Sequence, residues 1–456
     1  MASRIKIKKG LDIPLMGEPQ DIFLGEVKSD ILKICPEDFV GVTPKLSVKV
    51  GDEIKAGAAL MYDRNYPSVK VASPVSGVVT EIERGEKRRI LNITVERKGE
   101  NEFVDYGIKN ALTMKPKEVK EYILDAGLWF FVKQRPYDVV ANPDKDPRDI
   151  FVTGFSSAPL APSYDFILKD QDKDVQAGLD ALSKLTKGKV YLSVSPKTTS
   201  DVLRNAKNVV ITEFEGTHPA GNVGVQINHI APINAGEVIW TLNVLDVAII
   251  GRLFNTGKVD LTRIVALTGS EVEKRGYYKM LIGTMLNDIL KTIPKPEESR
   301  LRYICGDPLT GRKIDENDVL RAYASQITVI PEGNNTHEFF GWASLNPNKY
   351  SAGCTYLSNL LHKMGVKDKF RIDARLKGGR RAMIMSNEYD QVFPMNIYPE
   401  FLLKSIIAFD IDKMINLGIF EVAPEDFALC EFVDTSKIEI QRIVRTGLDL
   451  LRKEVE

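Results

Sequence analysis

Two stretches of this 456-residue chain gather residue types that can hold a small molecule. The first runs Gly127-Leu-Trp-Phe-Phe-Val-Lys-Gln-Arg-Pro-Tyr137. Three consecutive aromatics, Trp129, Phe130 and Phe131, are followed closely by Arg135 and Tyr137. Such density marks either ordinary core or a cleft for a flat apolar ring, in which Arg135 or Tyr137 would donate to the ring's oxygen atoms. The second stretch is Gly216-Thr-His-Pro-Ala-Gly-Asn-Val-Gly224, the densest glycine loop of the chain. It follows a strand-like run at 208–212. Backbone N–H groups around His218, Gly221 and Gly224 could meet an anion or a carbonyl there, with the His218 ring as a further donor. The competing reading is a tight crossover packed against a sheet.

Other chemistries are poorly served. No G-x-G-x-x-G follows a strand, and Gly154-Phe-Ser-Ser-Ala-Pro159 cannot supply the close backbone amides a pyrophosphate needs. Gly306-Asp-Pro-Leu-Thr-Gly311-Arg312-Lys313 approaches a P-loop but has arginine where lysine belongs and no Ser or Thr for magnesium, so a hairpin turn accounts for it better. Cys35, Cys305, Cys354 and Cys430 share no C-x-x-C spacing, and His218, His229, His337 and His362 form no H-x-x-x-H pair. Neither set predicts a metal site, and no Ser/His/Asp or Cys/His arrangement predicts a catalytic residue. Basic clusters at Arg84–Arg89 and at Arg371, Arg375, Lys377, Arg380 and Arg381 read as solvated turns, or as docking patches for acidic partners or lipid headgroups.

The elements that must position these residues fall into four blocks of an α/β multi-domain chain. Residues 1–105 read as short strands with glycine turns, in the pattern V-x-V-G-D-x-I-x-x-G-x-x-L then S-P-x-S-G-x-V, which resembles a lipoyl/biotinyl carrier. The expected hairpin tip, residues 63–67, contains no lysine, so a covalent biotin or lipoate is not expected. In residues 106–255, apolar β-branched runs at 149–153, 189–194, 208–212 and 237–242 alternate with helical patterns. One helix carries Val175, Leu179, Leu182 and Leu185 on one face; another spans 200–206. That alternation predicts a Rossmann-like parallel sheet. Residues 256–330 place strands at 264–267, 301–305 and 326–330 around a helix at 277–290, a β-grasp-like order. Residues 331–456 are mainly helical, with Pro399 before a helix at 400–417, Gly418 as its cap, and a last helix striped by Ile440, Ile443, Val444, Leu448, Leu451 and Val455.

Sixty-two Lys and Arg balance 62 Asp and Glu, which argues against a protein held mainly to nucleic-acid phosphate. The basic start, Met1 to Leu11, lacks the apolar run of a secretory signal. The most apolar stretch, 238–254, is interrupted by Asn243, Asp246 and Arg252, so no transmembrane segment is expected.

Taken in order along nearly the whole chain, several segments resemble the A subunit of the bacterial sodium-translocating NADH:quinone oxidoreductase. They are I-K-K-G-L at 7–11, Val48–Gly57, Ser73–Gly77, R-G-E-K-R-R at 84–89, the aromatic stretch 127–137, I-F-V-T at 150–153, H-P-A-G-N-V-G at 218–224, F-F-G-W at 339–342 and E-D-F-A-L-C at 425–430. The resemblance implies a peripheral subunit on the cytoplasmic face of the inner membrane, docked to membrane subunits of the same complex and binding quinone. NADH, flavins and iron–sulfur centres would then sit on partner subunits only, and the isolated chain would be inactive. Under that implication the expected quinone wall is Phe39, Trp129, Phe131, Arg135 and Tyr137. The alternative is a purely structural scaffold of this or a related Rnf-type complex.

Overall fold

The computed structural model describes residues 3–294, 300–334, 346, 349–365 and 368–455. His337 and the F-F-G-W segment lie outside the described residues.

The largest sheet has seven strands in the order Ser3–Lys6, Val210–Glu215, Val190–Val194, Ile150–Thr153, Ile239–Asn243, Lys133–Arg135 and Val139–Val140. The first five run parallel, Lys133–Arg135 runs antiparallel to them, and Val139–Val140 pairs antiparallel to it as a hairpin. Apolar residues cover both faces, as a parallel sheet under helices requires. Ile150 and Val152 join the large core on one face, while Phe151 packs with Ile227 and Ile239 on the other. Helices Asp172–Lys184 and Val244–Thr256 lie side by side over the first face, and their axes approach closely because Gly178 and Gly251 sit at the crossing. A Cβ on Gly251 would stand 1.7 Å from the Asp174 carbonyl oxygen, and one on Gly178 would stand 2.2 Å from that of Val247.

A six-stranded sheet runs Arg312–Ile314, Leu301–Cys305, Gln326–Pro331, Thr262–Thr268, Gly276–Leu281 and Phe23–Glu26. Here the expected helix over 277–290 is corrected. Gly276–Leu281 is a strand, and only Asn287–Leu290 forms a helical turn. Tyr277 and Met280 are buried while Lys279 is exposed, and the strand is held on both edges, by Thr262–Thr268 and by Phe23–Glu26. Pairing on both sides overrides a local pattern that also suits a helix.

The N-terminal region holds two smaller sheets, one of Ile31–Ile34, Ile90–Arg97, Gly77–Arg84 and Glu53–Ile54, the other of Pro44–Leu46, Ala59–Asp63 and Lys70–Ala72. In the turn after Ala59–Asp63, Asp63 Oδ1 accepts the Thr43 and Asn65 amides, and Lys70 Nζ reaches Asp125 at 3.0 Å. Before these sheets begin, the chain lends Ser3–Lys6 to the seven-stranded sheet and Phe23–Glu26 to the six-stranded one.

The C-terminal region is helical. The single helix expected over 400–417 is two, Pro399–Ile407 and Ile411–Asn416, broken at Phe409 (φ +55°) where the Asp410 side chain accepts the Lys413 amide. Gly418 is left-handed, as a helix end requires. The last helix, Ile440–Val455, buries Ile440, Val444, Leu448 and Leu451 against the chain's own core, while Val455 is exposed. Among the described residues no helix is long and apolar enough to cross a membrane, and no cluster of His, Cys, Asp and Glu is arranged to hold a metal ion.

Candidate functional site

In the seven-stranded sheet the strand order reverses between Ile150–Thr153 and Ile239–Asn243, since the strands after the first lie on one side of it and the fourth on the other. Connections leave the carboxyl ends of these two strands in opposite directions, which opens a crevice between them. A cleft of about 240 Å³ occupies this place. Its floor is Thr153, Thr241, Leu242 and Asn243 from the strand ends, and its walls come from distant segments. Phe131, Lys133 and Asp138 belong to the antiparallel edge, and Phe155 and Ser156 to the loop after the first strand. His218 and Gly221 belong to the glycine loop, Asp307 and Tyr323 to the six-stranded region, and Glu425 to the C-terminal region.

The glycine loop is positioned from below and above. Gly221 donates its N–H to Ser157 Oγ at 2.8 Å, and a Cβ there would stand 2.5 Å from the Ser157 amide nitrogen. The His218 amide donates to Asp12 Oδ1 (2.8 Å), and its Nδ1 lies 3.0 Å from Ser157 Oγ. The ring is 3% exposed, and its Nε2 has no partner. Burial holds the His218 imidazolium below the usual histidine range, against the opposing pull of Asp307 and Asp12, so the ring is neutral at pH 7. Gly224 plays a different part. It lies against the Asp426 carboxylate, whose oxygen would be 2.3 Å from a Cβ there.

The aromatic stretch divides between cleft and core. Phe131 lines the cleft. The Arg263 guanidinium lies 5.4 Å from its ring centroid and pairs with Asp246, joining helix Val244–Thr256 to strand Thr262–Thr268. Trp129 is fully buried behind it, donating Nε1–H to the Ala141 carbonyl and packing edge-on against Trp240 at 5.1 Å. Phe39 packs on Phe130 (4.9 Å) and Tyr323 (6.2 Å). Arg135 is 0% exposed. It donates to the Glu421 carbonyl (3.1 Å), to Asp426 Oδ2 (3.3 Å) and to Glu425 Oε1 (3.4 Å), tying the sheet edge to the C-terminal turn. Tyr137 is buried in the C-terminal core with φ +81°. Of the five aromatic-stretch and Phe39 candidates, the structure therefore brings Phe131 to the cleft together with His218 and Gly221. Phe39, Trp129, Arg135 and Tyr137 lie behind its wall, and Gly224 lies against Asp426.

Lys133 escapes the sequence reading, yet it faces the cleft. Its ammonium stands 4.4 Å from the Tyr323 ring centroid and has no hydrogen-bond partner among the described residues. A signal is present: Lys133 and Arg135 are two apart on one strand and share a face, so the charge that reaches the C-terminal turn has a second charge beside it. Tyr323, Asp307 and Glu425 come from segments whose convergence no local pattern announces. Tyr323 donates its hydroxyl to the Phe130 carbonyl (2.6 Å), and Asn243 donates to the Tyr164 oxygen (2.6 Å). Burial pushes Tyr164 up to about 12 and raises Asp246. Burial and the adjacent Asp426 raise Glu425. Asp138, though half-buried, is held below the usual carboxylate range by Lys133, Arg135 and Arg445. Asp246 pairs with Arg263, Glu425 with Arg135, and Asp138 lies among Lys133, Arg135 and Arg445, so the lining carries no cationic surplus for a phosphate-bearing ligand and suits a neutral one with acceptor oxygens.

The chain matches three family descriptions: "NqrA N-terminal barrel-sandwich hybrid domain" over residues 5–98, "NqrA second alpha/beta domain" over 114–259 and "NQRA C-terminal domain" over 264–316. It is 36% identical over 456 residues to the A subunit of the Na(+)-translocating NADH-quinone reductase of Neisseria meningitidis serogroup A, covering 99% of this chain and 100% of that one. It is 34% identical over 453 residues to the corresponding protein of Haemophilus influenzae strain PittGG, again covering 99% and 100%. Among solved structures, an NAD+-reducing [NiFe]-hydrogenase in the air-oxidized state is similar at 14% identity and a TM-score of 0.34, over 48% of this chain and 47% of that one. Identity of this level along the entire length places the chain in a family: it belongs to the NqrA family, the A subunits of the Na(+)-translocating NADH-quinone reductases.

Proposed function

We propose that the cleft at the strand-order reversal holds the ring of a quinone. One observation carries this reading. Two side chains with unused hydrogen-bonding capacity, the Lys133 ammonium and the His218 ring, line the same aromatic-walled cleft from different elements. A quinone offers a flat apolar ring and carbonyl oxygens that accept hydrogen bonds, which is the complement of that lining. Phe131 and Tyr323 would flank the ring, with Trp129 and Phe39 fixing the wall from behind and Arg135 anchoring the edge strand. The four-part organisation fits the same reading. A carrier-like β region (1–105) without a carrier lysine, a Rossmann-like region (106–255), a β-grasp-like region (256–330) and a helical region (331–456) together frame one ligand. The names of the relatives support a place in an NADH-quinone reductase complex; in this reading NADH, flavins and iron–sulfur centres sit on partner subunits, and this chain is peripheral on the cytoplasmic face.

Equilibrium titration of the purified chain with a short-chain quinone tests this. Saturable binding is expected. Lys133→Met should weaken it roughly tenfold or more and His218→Ala about fivefold, the range for losing a charged and a neutral hydrogen bond. No saturable binding by the parent chain, or unaltered affinity in both variants, removes the site. The former result would favour a protein that serves as scaffold alone.

A further inference from the structure

We propose that the exposed face formed by residues 376–385, Lys437 and Arg442 is a docking surface for an anionic lipid bilayer. This inference is independent of the cleft. The segment Leu376-Lys-Gly-Gly-Arg-Arg-Ala-Met-Ile-Met385 runs outside helices and strands. It is fastened from below: the Arg381 amide donates to the Ser436 carbonyl (2.8 Å), Ser436 Oγ donates to the Ala382 carbonyl (3.1 Å), and Gly378 lies against the Lys437 side chain. The Ser386 and Asn387 amides donate to Glu400, which sets the end of the loop beside the first turn of helix Pro399–Ile407. The backbone is therefore fixed, with Met383 turned to the core and Lys377 to Asp373, while Leu376, Arg380, Arg381, Ile384 and Met385 face solvent.

Two properties of those side chains choose the occupant. The first is charge. Arg380, Arg381, Lys437 and Arg442 gather here, and Glu439 alone pairs with two of them, Arg380 at 2.6 Å and Arg442 at 2.7 Å. Arg381 is exposed, and neither it nor Lys437 has an acidic partner among the described residues. Asp434, the next nearest carboxylate in sequence, is buried and turned inward to Tyr389 and the Ser436 and Ile438 amides. The face is left with a cationic surplus. The second property is apolar exposure. Leu376, Ile384 and Met385 are 59%, 57% and 43% exposed, and Tyr398 and Phe401, on the neighbouring helix turn, are 69% and 53% exposed with rings 6.1 Å apart. Basic side chains attract anionic headgroups and apolar ones enter the acyl boundary, so a surface carrying both fits a lipid interface better than an acidic protein, which would leave the apolar groups unmatched.

The test is flotation of the full chain with vesicles of phosphatidylcholine alone or mixed with phosphatidylglycerol, at low and high salt. Binding to the anionic vesicles at low salt, falling at high salt, is expected, with little binding to phosphatidylcholine alone. Arg380→Gln with Arg381→Gln should lower partitioning about thirtyfold, the loss carried by two basic residues near a charged surface. Arg380→Lys with Arg381→Lys should keep it. Ile384→Ser with Met385→Ser should remove the part that survives high salt. Unchanged thermal unfolding of each variant shows that the fold is intact. The proposal is overturned if the parent chain stays with the unbound fraction at low salt, binds both vesicle types alike, partitions equally after the glutamine changes, or ignores vesicles while binding polyglutamate.

Discussion

Replacing Arg135 with methionine should cost the protein stability in a pH-dependent way. The Asp426 carboxylate is 2% exposed, and it keeps the Ala423 amide (2.8 Å) but loses its only guanidinium. Breaking a buried pair from one side costs about 3–5 kcal/mol because the other charge is left uncompensated. Each kcal/mol moves the midpoint of a domain of this kind by about 2–4 °C, so the drop is on the order of 10 °C at pH 8. Asp426 and Glu425 already lie above the usual carboxylate range through burial. Without Arg135 both rise further. A carboxyl group raised in the folded state contributes stability below its unfolded pKa and loses it as pH rises through the folded one. The gap between variant and parent should therefore be small near pH 5 and widen toward pH 8. Asp426→Asn in the same chain should restore much of the loss. Scanning calorimetry at several pH values is the assay. An equal gap at pH 5 and pH 8 would refute the reasoning, as would parent-like unfolding with lost quinone affinity, since the arginine would then serve the ligand instead of the fold.

Other changes have equally definite outcomes. Gly251→Val should prevent soluble folding or cost at least about 3 kcal/mol, because helix backbones already meet there, whereas Gly353→Ala, whose Cβ would meet nothing closer than 3.8 Å, should be nearly neutral in chemical denaturation. Gly224→Ala should displace the Asp426 carboxylate and lower stability by about 1–3 kcal/mol, and the effect should be non-additive with Arg135→Met. In native protein a thiol reagent should label Cys354 rapidly and leave the other three. Burial pushes the Cys35 and Cys305 thiols up to about 12 and raises Cys430 well above the ordinary thiol range, while Cys354 is exposed; mass spectrometry showing two or more fast labels would contradict the burial.

What is legible in the sequence follows from the range of each signal. The run expected at 189–194 is the strand Val190–Val194, and the stripe Val175, Leu179, Leu182 lies on the buried face of Asp172–Lys184, because burial on one side imprints a period on neighbouring residues. The turn at Gly306 is a hairpin between Leu301–Cys305 and Arg312–Ile314, in keeping with its missing lysine. Strand Gly276–Leu281 escapes local reading because its two partners lie elsewhere in the chain, and the break at Phe409 because the apolar stripes on each side outweigh one capping aspartate. The His218 loop can be picked out by its glycines, but its neighbours Lys133, Tyr323 and Glu425 meet only through the assembled fold. The aromatic stretch draws attention to its rings, and the rings mostly fill space while the lysine beside them reaches the cleft.

The N-terminal segment has one more consequence. Ser3 pairs opposite Thr212, and Phe23 opposite Tyr277, so these two strands wait for the synthesis of a long stretch of polypeptide before their neighbours exist. Until then two sheets stay unclosed along one edge, and exposed edges invite pairing with another copy. A tag or deletion at this end would act as a fault in two remote sheets at once, lowering the yield of assembled protein long before it touched any ligand.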